Sequence, residues 1–143
     1  MIAAVHALSG AVLGRLCRTP AQAFLVGALS HMVADALPHR DLAIPQEAVM
    51  LAGALGWVAL TQGSESRAFL GAAGAVVPDV ENLAARLAGV GDERMLLPTH
   101  RQYHGREVDS LLPQGAVALV CLALLGGPKR RAGKNNNRRA HGI

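Results

Sequence analysis

Apolar residues recur along the chain with the spacing of helices. No stretch shows the strict alternation of apolar and polar residues that is typical of strands, so the pattern predicts an all-α fold. Prolines and polar loops divide the apolar runs, because a proline suits the start of a helix better than its interior. Pro78 either kinks the fourth helix or opens a further short one, DVENLAARLAG. The predicted helices cover residues 2–18, 20–37, 45–62, 66–77 and 111–125.

The 143 residues suffice for one bundle of about five main helices, which we assign to residues 1–128. Residues 129–143 form a basic tail without apolar periodicity, and we expect it to be disordered. Outside this tail acidic residues slightly outnumber basic ones, and aromatic residues make up only 3% of the chain. Nucleic-acid binding is therefore not expected.

Hydropathy alone does not decide between a membrane bundle and a soluble one. Apolar residues make up 51% of the chain, but each apolar run spans about 14 to 18 residues, at or below the roughly 20 that cross a bilayer.

The amino-terminal run has no charged residues before it, which argues against a cleaved signal peptide. Cys17 and Cys121 have no pairing motif and are interpreted as buried thiols.

The direction of the helices predicts where the polar residues meet. Consecutive helices joined by short loops run antiparallel, so residues at alternate helix ends gather at one end of the bundle. The basic tail, which follows the fifth helix, is expected at the opposite end. The residues expected at the polar end are His6, His31, Asp35, His39, Asp79, His100 and His104.

These polar residues share helix faces with glycines. His6 lies four residues before Gly10, and His31 four residues after Gly27, and residues four apart occupy one face of a helix. Because helices approach most closely at glycines, we expect the polar side chains to point into the bundle. Buried ionisable groups are costly unless they are paired or coordinated, and within a membrane they indicate function.

Two pairs have the spacing by which one helical face offers two metal ligands. They are His31 with Asp35 and His100 with His104. Asp79 and the nearby Glu81 add carboxylates that could bind metal or act as a general base. Histidines and carboxylates without thiolates favour zinc or manganese.

Each of these residues also has a simpler interpretation. His6 could be a core histidine, and Asp79 could cap the helix that follows Pro78. His39 could be an ordinary turn residue. Arg101, beside the second histidine pair, could hold an anionic substrate such as a phosphate or lie at the surface.

Four features of the sequence occur together: His6 on a glycine-rich helix, GALSHMVADALPH, GAVVPDVEN and THRQYHG. Together they resemble the inner-membrane metal-dependent hydrolases, with a weaker similarity to zinc-dependent phospholipase C-like proteins. In this chain the HxxxD helix precedes the PD element, and Glu81 stands in place of a second aspartate. The resemblance implies an integral protein of a bacterial-type inner (plasma) membrane. Its implied metal ligands are His6, His31, Asp35, Asp79, His100 and His104.

The sequence thus favours a membrane-embedded, metal-dependent hydrolase of phosphoester or lipid-like substrates. Asp79 and Glu81 are its candidate catalytic residues, and Arg101 its candidate substrate-binding residue. The alternative is a small, non-catalytic helical membrane protein whose buried histidines and aspartates hold the helices in register. A soluble cytoplasmic location is the alternative to the membrane.

Overall fold

A computed structural model describes residues 1–91, 106 and 108–127, with the backbone alone at 86 and 87. Over these residues the protein is all-helical, as predicted, and contains no strand. The predicted tail, residues 129–143, lies outside the described residues. The helices are α1 (Ala3–Leu16), α2 (Pro20–Asp35), α3 (Ile44–Gln62), α4 (Arg67–Leu87) and α5 (Leu112–Gly126).

Local signals explain where the helices begin and end. Thr19 caps α2 by accepting from the backbone N–H of Gln22, and the Gln22 side chain accepts in return from the N–H of Thr19. This reciprocal pair, followed by Pro20, is a strong helix start. At the end of α3, Gly63 takes a φ of 97°, which a residue with a side chain rarely adopts.

The fourth helix runs through Pro78 without ending there. The sequence left a kink or a new helix open, and the structure has one element from Arg67 to Leu87. Asp79 therefore lies inside a helix, so its interpretation as the cap of a following helix is wrong. Because proline has no N–H, α4 lacks the hydrogen bond from residue 78 to the carbonyl of Gly74. The helix nevertheless continues to Leu87.

Helix α4 is the centre of the bundle, and glycines let α1 and α2 approach it closely. A Cβ added at Gly10 or at Gly27 would collide with the carbonyl oxygen of Gly71. A Cβ at Gly71 would collide in turn with the carbonyl oxygen of Gly10. Backbone-to-backbone packing of this kind needs small residues at the crossing, which confirms that the glycine faces point inward.

The predicted antiparallel arrangement is confirmed at both ends of the bundle. At one end His6 of α1 lies against Asp35 of α2, with 2.9 Å between Nε2 and Oδ1. At the other end Arg15 of α1 donates to the carbonyl oxygen of Leu124 in α5 over 2.8 Å. Helix α5 thus ends opposite the polar residues.

Many large apolar side chains are exposed on the described part of the bundle, whereas its buried residues include several polar ones. Leu25, Leu29 and Val33 are four apart on α2 and are 60% to 70% exposed. Helix α3 is long and apolar enough to cross a membrane, and only 6% of its apolar window is buried. Further exposed apolar residues are Val49, Leu60, Leu112, Leu119, Val120 and Leu124.

The two cysteines differ in exposure. Cys121 is buried, as predicted, and its Sγ lies 3.8 Å from the hydroxyl of Ser9. Cys17 is only partly buried, so its interpretation as a buried thiol is wrong. The reason is that α1 ends at Leu16, which places Cys17 in the connection to α2.

Candidate metal centre

Three helices bring their polar residues together at one end of the bundle. Helix α1 contributes His6, α2 contributes His31 and Asp35, and α4 contributes Asp79. His6, His31 and Asp35 are almost completely buried, with exposures of 1% or less. The sequence predicted that these residues meet inside the bundle, and the structure confirms it.

Asp35 contacts both histidines and the amino-terminal group. Its Oδ1 accepts from Nε2 of His6 and from the ammonium group of Met1, each over 2.9 Å. Its Oδ2 lies 3.1 Å from Nε2 of His31. A carboxylate without solvent needs such partners, because burying an unpaired charge is strongly unfavourable.

The bond to Asp35 determines which nitrogen of His6 carries the proton. An ionised carboxylate only accepts hydrogen bonds, so Nε2 of His6 carries the proton that it donates. In the neutral ring Nδ1 then bears the lone pair. This Nδ1 is buried and has no hydrogen-bond partner within the described part of the chain. A carboxylate that holds one ring nitrogen while the other stays available is the usual arrangement around a metal-binding histidine.

His31 is oriented by the backbone of α4. Its Nδ1 lies 2.8 Å from the carbonyl oxygen of Ala75 and donates to it, since a carbonyl only accepts. The ring of His31 stacks on that of His6 with 3.9 Å between the ring centroids.

Nε2 of His31 points towards two carboxylates. It lies 3.1 Å from Oδ2 of Asp35 and 3.8 Å from Oδ1 of Asp79. With Nδ1 donating to Ala75, a neutral His31 would direct a lone pair at these negatively charged oxygens. A proton on Nε2 or a cation between the groups removes this repulsion.

The donor set suits zinc or manganese. One ligand atom each from His6, His31 and Asp79 can be chosen so that all three lie within 4.8 Å of one another. Ligand atoms around a tetrahedral zinc ion are about 3.4 Å apart, so small side-chain movements would bring the three to one ion. The buried lone pair on His6 fits such a ligand. Asp35 contacts both histidines, and its role as a further metal ligand stays a prediction.

A second histidine and carboxylate extend this polar region. Nε2 of His39 lies 3.3 Å from Oδ1 of Asp41, and that oxygen lies 3.3 Å from the amino group of Met1. His39 is 1% exposed, far less than an ordinary turn residue. Its backbone explains the burial: its N–H donates to the carbonyl of Arg106, and its carbonyl accepts from Val108. Sequence spacing carried no signal for this pairing between distant segments.

Other predicted site residues are not part of this group. Glu81 follows Asp79 by two residues in a continuous helix, and residues two apart do not share a face. Glu81 is half-buried and does not belong to the group of His6, His31 and Asp79. The remaining predicted residues lie outside the described residues, and they are His100, Arg101 and His104.

Comparisons with known proteins add no family assignment. No family model, no curated protein and no solved structure matches the chain. The resemblance to metal-dependent hydrolases therefore stays a prediction, and function has to be argued from the geometry of the site.

Proposed function

We propose that the protein is a helical membrane protein that binds a divalent metal, zinc or manganese, and hydrolyses phosphoester or lipid-like substrates. The observation that carries this proposal is the orientation of the two stacked histidines. Hydrogen bonds to Asp35 and Ala75 hold the two rings in place. One nitrogen of each ring is the proposed metal ligand: the buried Nδ1 of His6, and Nε2 of His31, which also contacts the carboxylates of Asp35 and Asp79. Asp79 supplies the third ligand.

The exposed surface supports a membrane location. Helix α3 has 19 residues, about 28 Å of helix, which is close to the thickness of the hydrocarbon core. The outward row of Leu25, Leu29 and Val33 on α2 adds contiguous apolar surface, which soluble monomers rarely expose. Lipid would cover these faces, while the polar residues stay inside the bundle as they do in membrane proteins.

The buried site supports hydrolysis in the following way. When bound, the metal would act as a Lewis acid and lower the pKa of a water molecule. His6 and His31 are held in place by their hydrogen bonds, so they would lose little freedom on binding. Asp79 lies at the edge of the group, with 22% of its side chain exposed, and it is the carboxylate best placed to accept a proton from water that enters there. The sequence adds His100 and His104 as further ligands and Arg101 as a contact for an anionic substrate.

Metal binding by the detergent-purified protein tests the proposal. We expect one or two equivalents of zinc or manganese by elemental analysis and titration calorimetry. Asp79→Asn should weaken binding by about tenfold or more, since even partners of metal ligands contribute that much. Glu65→Gln, at an exposed carboxylate in the loop before α4, is the control and should leave the affinity unchanged. Failure to bind either metal, or equal effects of the two substitutions, would refute the assigned site.

Activity and location are tested separately. With metal bound, the protein should hydrolyse bis(p-nitrophenyl) phosphate or phospholipid in mixed micelles, and Asp79→Asn should lose this activity. The protein should also stay in the membrane pellet after alkaline carbonate washing. Metal binding without hydrolysis of either substrate would reject the hydrolase and leave a metal-binding membrane protein.

One observation favours the non-catalytic alternative. Asp35 already pairs with His6, with His31 and with the amino-terminal ammonium group, so this network can hold α1 against α2 without a metal. If it does only that, the protein will bind no stoichiometric metal, and chelators will not change its melting temperature.

A further inference from the structure

Two side chains outside the candidate metal centre hold the first turn of α1, the helix that carries His6. Glu47 lies in the first turn of α3, and its Oε2 accepts from the N–H of Ala3 over 2.8 Å. Gln114 lies in the first turn of α5, and its Oε1 accepts from the N–H of Ile2 over 2.9 Å. These N–H groups belong to the helix start, where no intrahelical partner exists.

The same two side chains also bind the connection between α2 and α3. Oε1 of Glu47 accepts from the N–H of Leu42 over 3.0 Å, and Nε2 of Gln114 donates to the carbonyl of Arg40 over 2.8 Å. Each side chain therefore bridges the start of α1 to the segment that contains Asp41. Gln114 is only 2% exposed, and in this buried position its amide oxygen and its amide nitrogen each have a hydrogen-bond partner.

The carboxylate of Glu47 has an additional electrostatic role. It lies next to the amino-terminal ends of both α1 and α3, which carry partial positive charge. Hydrogen bonds from backbone N–H groups to a carboxylate are stronger than those between neutral groups. Glu47 therefore fixes the start of α1 more firmly than a neutral side chain would.

We infer that Glu47 and Gln114 are positioning residues for His6, an inference that rests on the proposed metal centre. His6 is three residues beyond Ala3 on a rigid helix, about 4.5 Å along its axis. Because the helix is rigid over this length, a displacement of its first residues would displace the ring of His6 relative to His31 by about the same amount. Metal–ligand distances tolerate only about 0.2 Å, so losing either bridge should weaken metal binding although neither residue contacts the metal.

Zinc titration of the detergent-purified protein tests this inference. Glu47→Ala should lower zinc affinity by about 10- to 100-fold, the range for partners that orient metal ligands. Glu47→Gln keeps one acceptor oxygen and should fall between the wild type and Glu47→Ala. Gln46→Ala is the matched control, because within the described residues the Gln46 side chain accepts from the backbone of Ala43 at the start of its own helix and does not bridge to α1.

Cobalt absorption spectra provide a readout that a merely structural role would not change. The visible bands of bound Co²⁺ report the coordination geometry, and they should shift in Glu47→Ala but not in Gln46→Ala. If Glu47→Ala does not fold, Gln114→Ala provides the same test, since it removes the bond to Ile2 and the bond to Arg40.

The outcomes separate the two proposals. If the wild type binds zinc and the Glu47 and Gln114 variants bind it equally well with unchanged cobalt spectra, the positioning role is wrong and the metal centre stands. If the wild type binds neither zinc nor, in a parallel titration, manganese, both are wrong. If Gln46→Ala weakens binding as much as Glu47→Ala, a general loosening of α3 explains the effect and the positioning role is rejected.

Discussion

Replacing Asp35 by alanine should strongly destabilise the protein. The substitution leaves the Nε2–H of His6 without its acceptor and removes the buried counter-charge of the amino-terminal ammonium group. Hydrogen bonds to charged groups contribute about 1.5–3 kcal/mol each, and breaking a buried ion pair costs about 3–5 kcal/mol. We expect a loss of about 3–5 kcal/mol in the free energy of unfolding.

The assay is thermal unfolding of the detergent-purified protein in the presence of a chelator, so that no bound metal contributes. For a chain of this size the expected loss corresponds to a fall in melting temperature on the order of 10 °C. Asp35→Asn should lose less, because its amide oxygen can still accept from His6 and its amide nitrogen can donate to Nε2 of His31. Glu65→Ala, an exposed carboxylate in the loop between α3 and α4, is the control.

The predicted role of Asp35 is refuted if the free energy of unfolding of Asp35→Ala lies within about 0.5 kcal/mol of that of Glu65→Ala, which is the usual range for surface substitutions. It is also refuted if Asp35→Ala is more stable than the wild type. That result would mean that the cost of burying the charge exceeds the gain from its three partners.

Three further predictions follow from packing and exposure. Gly71→Ala should lower the free energy of unfolding by about 1–3 kcal/mol, because the added Cβ would collide with the backbone of α1. Gly56→Ala, whose Cβ would point into open space, should be neutral or stabilising. Chemical denaturation of both variants checks this. A maleimide should label Cys17 in the folded protein much faster than the buried Cys121, and equal rates would contradict the packing of α5. Leu29→Lys should reduce the amount of protein in the membrane fraction, since a lysine in the hydrocarbon core costs about 2.5–3.5 kcal/mol, and an unchanged yield would mean that this face of α2 does not contact lipid.

The bundle and the meeting of its polar residues could be predicted because they depend on local patterns. Helical periodicity located the five described helices, and the short connections among the first four predicted that these run antiparallel. Their places near helix ends then predicted that His6 and Asp35 lie at the same end of the bundle, and their contact confirms this. Glycines on the same faces indicated the close approach to α4 at Gly71.

The details that depend on tertiary contacts could not be predicted. Proline is a poor helix residue, but α4 continues through Pro78, and packing of the glycine-rich faces of α1 and α2 against α4 accounts for its persistence. The burial of His39 results from backbone pairing with residues 106 and 108, far along the chain. No periodicity within the sequence encodes such a pairing.

Glu47 shows most clearly why sequence patterns miss residues that orient a site. An acidic residue in the first turn of a helix is ordinary, because it interacts favourably with the positive end of its own helix dipole. The sequence therefore gives no reason to assign Glu47 a further role. Only the crossing of α1 and α3 brings Oε2 of Glu47 to the N–H of Ala3, one turn from His6. A carboxylate that stabilises its own helix can thus also fix the position of a neighbouring helix along its axis. The functional contribution of such a residue has to be found from its contacts.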